Sequence, residues 1–152
     1  MKFLIQVVRS ASVDVEGATI GKIDRGMLIF VGVCDTDTEQ IADMMVKKAV
    51  NLRIFEDDNG KTNLSINDIG GSMLVISQFT LYADCRKGNR PSFIKAGDPG
   101  HANDLYEYII RQLRDQYGIH TETGQFGAYM DVSLINDGPF TVMLDSEELS
   151  RK

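Results

Sequence analysis

The 152-residue sequence holds only two cysteines and two histidines, and no apolar run long enough to cross a bilayer. Each shortage excludes something. Cys34 and Cys85 cannot build a disulfide framework, which points to a reducing, cytoplasmic setting. His101 and His120 lie far from each other and from both cysteines, so there is no zinc-type spacing and no metal is expected. The opening stretch "MKFLIQVVRSASVDVEG" passes into alternating polar positions rather than a small-residue cleavage site, so no signal peptide is expected. A Gly-x-Gly-x-x-Gly fingerprint, a Gly-Lys-Ser/Thr phosphate loop, a Gly-x-Ser-x-Gly elbow and a His-Glu-x-x-His helix are all missing. A Ser-His-Asp triad would have to recruit a histidine that has no serine near it in sequence. Positive charge is scarce as well. Sixteen Lys and Arg against 22 Asp and Glu leave a net charge of −6, which argues against a protein coated in nucleic acid.

What is present is ordinary for a globular protein: 43% apolar and 25% charged residues. One domain spanning 1–152 is expected, burying about 70% of the surface its unfolded chain exposes. Period-two alternation predicts strands over Phe3–Arg9, Ser12–Val15, Ala18–Ile23 and Met27–Val33, with Asp24–Gly26 turning the last pair. "MLIFVGV" and "SMLVIS" (Ser72–Ser77) are apolar on both faces and read as central strands. A helix is expected near Thr38, with Thr36 and Glu39 at capping-box spacing and Ile41, Met44, Met45, Ala49 and Leu52 on its apolar stripe. The methionines there are read as core filler. A second helix opens at Asp98-Pro99, buries Leu105, Tyr108, Ile109, Leu113 and Tyr117, and ends at Gly118. "FEDDNGKTN" (Phe55–Asn63) is a turn; a calcium loop is rejected because Phe55 falls where the first ligand belongs. Two helices cannot cover both faces of so much sheet, so a helix layer on one face with further β-structure on the other is expected.

Two stretches stand out. In "SQFTLYADCRKGNRPSF" (Ser77–Phe93) an apolar strand ends in two hydroxyls, a carboxamide and an aromatic ring, followed at once by a basic loop. That pairing suits a small polar ligand carried on a phosphate chain, although a surface loop would look the same. In "VSLINDGPFT" (Val132–Thr141) two alternating runs, one through Met130, Val132 and Leu134, the other through Phe140, Val142 and Leu144, are parted by Gly138-Pro139. A turn between two strands is the simple reading.

"SQFTLYAD", "RKGNRPSF" and "FGAYMDVSLINDGPFT" together resemble the D-aminoacyl-tRNA deacylase family, also called D-tyrosyl-tRNA deacylases. The resemblance runs from "IQVVRSASVDVEG" through "GGSMLVISQFTL" to the last strand. It implies an α/β fold of one domain in three layers, β/β/α, assembled as a homodimer that needs no cofactor. The implied reaction is hydrolysis of the ester joining a D-amino acid to the 3′-terminal adenosine of tRNA, and of glycine mischarged on a non-cognate tRNA such as tRNA-Ala. The implied catalytic residues are Ser77, Gln78, Phe79 and Thr80. Met130, Gly138 and Pro139 are implied to contact substrate, the last two as a cis dipeptide entering the partner's site, and Arg86, Lys87 and Arg90 to meet tRNA. Phe140 stands where the family usually has valine and is expected to alter packing beside the site; Cys85 occupies a variable position. Backbone N–H groups at Phe79 and Thr80 are candidate oxyanion donors. Thr80 lacks an adjacent base, so water assisted by the substrate's own 2′-hydroxyl is preferred over Thr80 as nucleophile. Three rivals remain: a serine-editing relative such as the N-terminal domain of archaeal threonyl-tRNA synthetases, a non-catalytic RNA-binding module, and a general serine esterase.

Overall fold

Alternating apolar residues carry the first strand further than expected. In the computed structural model, which describes residues 1–151, β1 runs unbroken over Lys2–Val15 rather than as two strands. Its phase flips midway: Phe3, Ile5 and Val7 face one side, Val8, Ala11 and Val13 the other. A register shift between Val8 and Ser10, in the pairing with β8 (Asp131–Asp145), marks the bulge responsible. β2 (Ala18–Ile23) and β3 (Gly26–Gly32) follow one another along the opposite edge of β1, with Ala11 across from Ile23 and Val8 across from Gly26. Asp24–Gly26 therefore joins consecutive segments of one edge and is not a hairpin turn.

β6 (Ser72–Ser77) pairs in parallel with β3, and β7 (Thr121–Thr123) in parallel with β6. Parallel neighbours need crossovers, and these carry α1 (Glu39–Asn51) and α2 (Pro99–Arg111). The hairpin β4 (Phe55–Glu56) and β5 (Thr62–Leu64) surrounds Asn59-Gly60 as expected, and a short α3 (Ser146–Ser150) ends the fold. Thr38 caps α1, accepting from the Ile41 N–H at 3.3 Å. Thr36 is not the cap; its hydroxyl lies 3.3 Å from Cys34 Sγ. Asp98 caps α2 with Pro99 in its first turn, as expected. The buried stripe of α2 is Leu105, Tyr106, Ile109 and Ile110. Tyr108, expected there, is half-buried and its hydroxyl donates to Asp43 Oδ1 at 2.8 Å.

The helices cover one face of this mixed six-stranded sheet, over a core that includes Phe3, Ile5, Met27, Ile29, Met45, Met73 and Ile109. The other face is covered by the sheet's own curl. Val8, Ala11, Val13, Ile23, Leu28, Leu74 and Ile76 form a second buried cluster inside a nearly barrel-like sheet. No helix among the described residues is long and apolar enough to cross a membrane.

The Gly-Pro break does not separate two strands. Both halves of β8 pair with β1, Thr141 opposite Gln6 and Asn136 opposite Val8. Asp137, Gly138, Pro139 and Phe140 consequently stand against Val7 alone and bow out as a loop. The Gly138–Pro139 peptide is cis.

Candidate active site

β6 ends at Ser77, and the chain tightens at once into a 3-10 turn, Phe79–Tyr82. The Gln78 N–H stays tied to the sheet, donating to Val31 O at 2.8 Å, while the Gln78 side chain donates to Thr80 Oγ1. No side chain caps the turn, so its leading N–H groups, at Phe79 and Thr80, have the unpaired character of any helix start. The turn can lie this close to β3 because residue 32 is glycine: a Cβ there would sit 2.9 Å from Leu81 Cβ and 3.3 Å from the Tyr82 ring. Gly32 therefore fixes the turn's position. Gly32→Ala is expected to displace Phe79 and Thr80 and to lower kcat about 10- to 100-fold while the thermal midpoint moves little; steady-state kinetics beside a melting curve checks this.

The turn forms one end of a cavity of about 570 Å³, within the usual size of a small-ligand site. Ser77, Gln78 and Phe79 line it together with Met130, Phe126, Phe93 and Tyr129. Thr80 is exposed on the same turn but is not among the lining residues. Each wall is fixed independently. Gly97 donates to Val33 O at 2.8 Å, pinning the loop before α2 to the end of β3. Tyr106 donates to Val75 O at 2.7 Å behind Phe126, and burial pushes its phenol well above the usual tyrosine range. Gly124 leaves room for Met130, whose sulfur would be 2.5 Å from a Cβ there. Neither histidine lines the cavity. Among the described residues no cluster of three metal-ligating side chains occurs.

Gly138 and Pro139 are exposed and line no part of their own chain's cavity. Their loop is nevertheless held firmly. Asn136 spans it, its Oδ1 accepting from the Phe140 N–H at 3.0 Å and its Nδ2 donating to Thr141 Oγ1 at 3.1 Å. Gln6 donates to the same Thr141 hydroxyl at 3.2 Å, and Arg9 approaches Asp137 at 3.4 Å. Phe140 does not line its own chain's cavity. It is half-buried against the helix-facing core and anchors the loop's end there.

The basic loop is less positive than its sequence suggests. Asp84 closes it through paired backbone bonds with Ser92 of 2.7 and 2.9 Å. The Asp84 carboxylate also accepts two bonds from Arg86 Nε and one from Nη2, at 2.9, 3.1 and 2.6 Å. Those bonds hold the Asp84 carboxyl well below the ordinary range. Lys87 and Arg90 are exposed, and neither forms an ion pair among the described residues. The residues missed in sequence are thus Gly32, Gly124, Asn136 and Asp84. Only Asp84 left a readable signal, an acid two positions before the first arginine.

The chain is similar in sequence and fold to known proteins. The family model described as D-Tyr-tRNA(Tyr) deacylase matches residues 4–145. A D-aminoacyl-tRNA deacylase of Thermosipho melanesiensis is 52% identical over 149 residues, covering 98% of this chain and 99% of its own. A solved structure titled c-Myc DNA Unwinding Element Binding Protein superposes with TM-score 0.90 at 41% identity, over 95% of this chain and 98% of that one. Another, titled as a probable eukaryotic D-amino acid tRNA deacylase, shares the fold with TM-score 0.82 at 15% identity, over 94% and 97% of the two chains.

Proposed function

The chain belongs to the D-Tyr-tRNA(Tyr) deacylase family, and from that premise we propose that it hydrolyses the ester of D-aminoacyl-tRNA, releasing free D-amino acid and tRNA. The reaction takes place at the Ser77–Thr80 turn. An aminoacyl ester is already activated, so the N–H groups of Phe79 and Thr80 need only stabilise the oxyanion that forms as the carbonyl is attacked. Water attacks, assisted by the ribose 2′-hydroxyl; Ser77, Gln78 and Thr80 position the ester, and Met130 contacts it from the opposite wall. Thr80 positions rather than attacks: its hydroxyl accepts from Gln78, and no histidine lines the cavity to take its proton.

The protein acts as a homodimer in β/β/α layers, and each cavity is completed by the Gly138-Pro139 loop of a second copy. The observation that carries this reading is the loop's placement: tightly anchored, exposed, and absent from its own cavity. A rigid main-chain wall near the substrate α-carbon excludes any L-side chain and leaves a D-side chain pointing outward. Glycine has nothing to exclude, so glycine mischarged on tRNA-Ala is also cleaved. Incubating equal amounts of enzyme with D-Tyr-tRNA and L-Tyr-tRNA tests the proposal: rapid loss of the D-ester alone is expected, and equal loss of both refutes it. Ester release, not retention, separates the enzyme from a nucleic-acid binder of the kind one relative's title describes.

Lys87, Arg90 and Arg86 meet tRNA phosphates, but not equally. Arg86 already commits its Nε and Nη2, and most of its charge, to Asp84. Lys87→Ala with Arg90→Ala is expected to flatten the salt dependence of tRNA binding by roughly 0.7 of a log–log unit per lost contact. Arg86→Ala is expected to change it less, as titrations between low and moderate salt will show.

A further inference from the structure

Two large apolar side chains stand almost fully in solvent beside the cavity. In the single chain Tyr129, which lines the cavity, is 90% exposed, and Ile94, next to the lining residue Phe93, is 91% exposed. Neither serves the core. The cavity lining is aromatic as well: Phe93 meets Phe79 edge to face, with ring centroids 5.1 Å apart. The loop that carries Phe93 and Ile94 also carries Lys87 and Arg90, the two cations left unpaired once Asp84 has engaged Arg86 and lies 3.8 Å from Lys95. An exposed ring on the cavity lining, facing a loop that carries an exposed aliphatic chain and free positive charge, suits an unpaired nucleotide, whose base stacks while its phosphate is neutralised.

We propose that Tyr129, with Ile94, is the stacking platform for the unpaired base that precedes the ester-bearing terminal nucleoside. This rests on the deacylase reading and deepens it. The cavity of about 570 Å³ suits one aminoacyl-nucleoside, whose ester must reach the Ser77–Phe79 end. Tyr129 lines that cavity yet keeps most of its surface exposed, which leaves ring surface for the adjoining nucleotide of the strand. Recognition of a single-stranded end thereby extends one nucleotide beyond the reacting one, by stacking that does not read base identity.

The test compares two substrates, D-Tyr-tRNA and 3′-O-(D-tyrosyl)adenosine, which lacks any preceding nucleotide. Tyr129→Ala is expected to lower kcat/KM on the tRNA about 5- to 100-fold more than on the adenosine ester, the range of one lost base–aromatic stack. Tyr129→Phe keeps the ring and is expected to restore most of that difference. The trinucleotide CCA, uncharged and fluorescently labelled, should bind more weakly to Tyr129→Ala by a similar factor. Equal losses on both esters, or no selective loss on tRNA, would overturn the platform while the unmutated enzyme still cleaves D-Tyr-tRNA. If the unmutated enzyme cleaves neither ester, the deacylase reading fails first and this inference with it.

Discussion

Asn136→Ala is expected to raise hydrolysis of L-Tyr-tRNA about 10- to 100-fold while D-Tyr-tRNA is cleaved at nearly its original rate. The side chain closes the Asp137–Phe140 loop from both ends, through Phe140 N–H at 3.0 Å and Thr141 Oγ1 at 3.1 Å. Removing it deprives the Phe140 N–H of its acceptor and leaves Thr141 to Gln6 alone. The direct cost to stability is about 1–2 kcal/mol, because the loop is exposed and water can replace part of what is lost. The effect on handedness is larger, because a steric filter depends on position: a displacement of about 1 Å can change a rate about 100-fold. Gln6→Ala, which removes only the outer bond, should show the same trend more weakly. Parallel time courses on the two enantiomers read the effect directly, and an unaltered D-to-L ratio would mean that Asn136 does not set the loop.

Asp37→Ala carries the largest expected loss of stability, about 3–5 kcal/mol, or a fall of roughly 10–15 °C in Tm. The Met1 ammonium is fully buried and lies 2.7 Å from Asp37 Oδ1, with Ser146 Oγ also at 2.7 Å. The second Asp37 oxygen accepts from the Cys34 N–H at 2.8 Å. One carboxylate thus ties the start of β1 to the segment after β3, and the ammonium it pairs with reaches the start of α3. Truncating it leaves the buried ammonium without its counter-charge, holding only Ser146, and the part-buried Cys34 N–H without its acceptor. Asp37→Asn keeps an acceptor but loses the charge, and should fall between the two. Chemical denaturation of the three proteins orders them; equal midpoints would show that the pair contributes nothing net.

Much of the fold was legible because periodicity and caps are local. Thr38, Asp98 and Pro99 mark helix starts by groups only a few residues away, and the both-faces-apolar runs of β3 and β6 identify buried strands. What was illegible is where the chain changes face. Val132 and Leu134 share parity with Val142 and Leu144, so alternation places all four on one side. In the folded chain the first pair joins the inner cluster and the second joins the helix-facing core. The loop at Gly138-Pro139 and the bulge in β1 flip the phase of both strands together, and neither flip has a periodic signature. Thr36 carries the capping-box spacing with Glu39, yet Thr38 is the cap, because the path from β3 decides where the helix starts.

The candidate site divides in the same way. Ser77, Gln78, Phe79 and Met130 converge on one cavity although Met130 lies more than fifty positions beyond Phe79. Their convergence was carried by family resemblance, since no local rule brings β6 beside the segment before β8. Gly32 and Gly124 act by lacking a side chain, and their importance appears only once a neighbour is seen at 2.9 or 2.5 Å from the missing Cβ.

The most direct measurement joins the two halves of the site in one heterodimer. One protomer would carry Gly32→Ala, with a damaged turn and an intact loop, and the other Asn136→Ala, with an intact turn and a loosened loop. Doubly tagged heterodimers are predicted to cleave D-Tyr-tRNA while again sparing L-Tyr-tRNA, because the intact turn receives the intact loop from its neighbour. Cleavage of L-Tyr-tRNA at half the Asn136→Ala homodimer rate would contradict the account, since each protomer would then be filtering with its own loop.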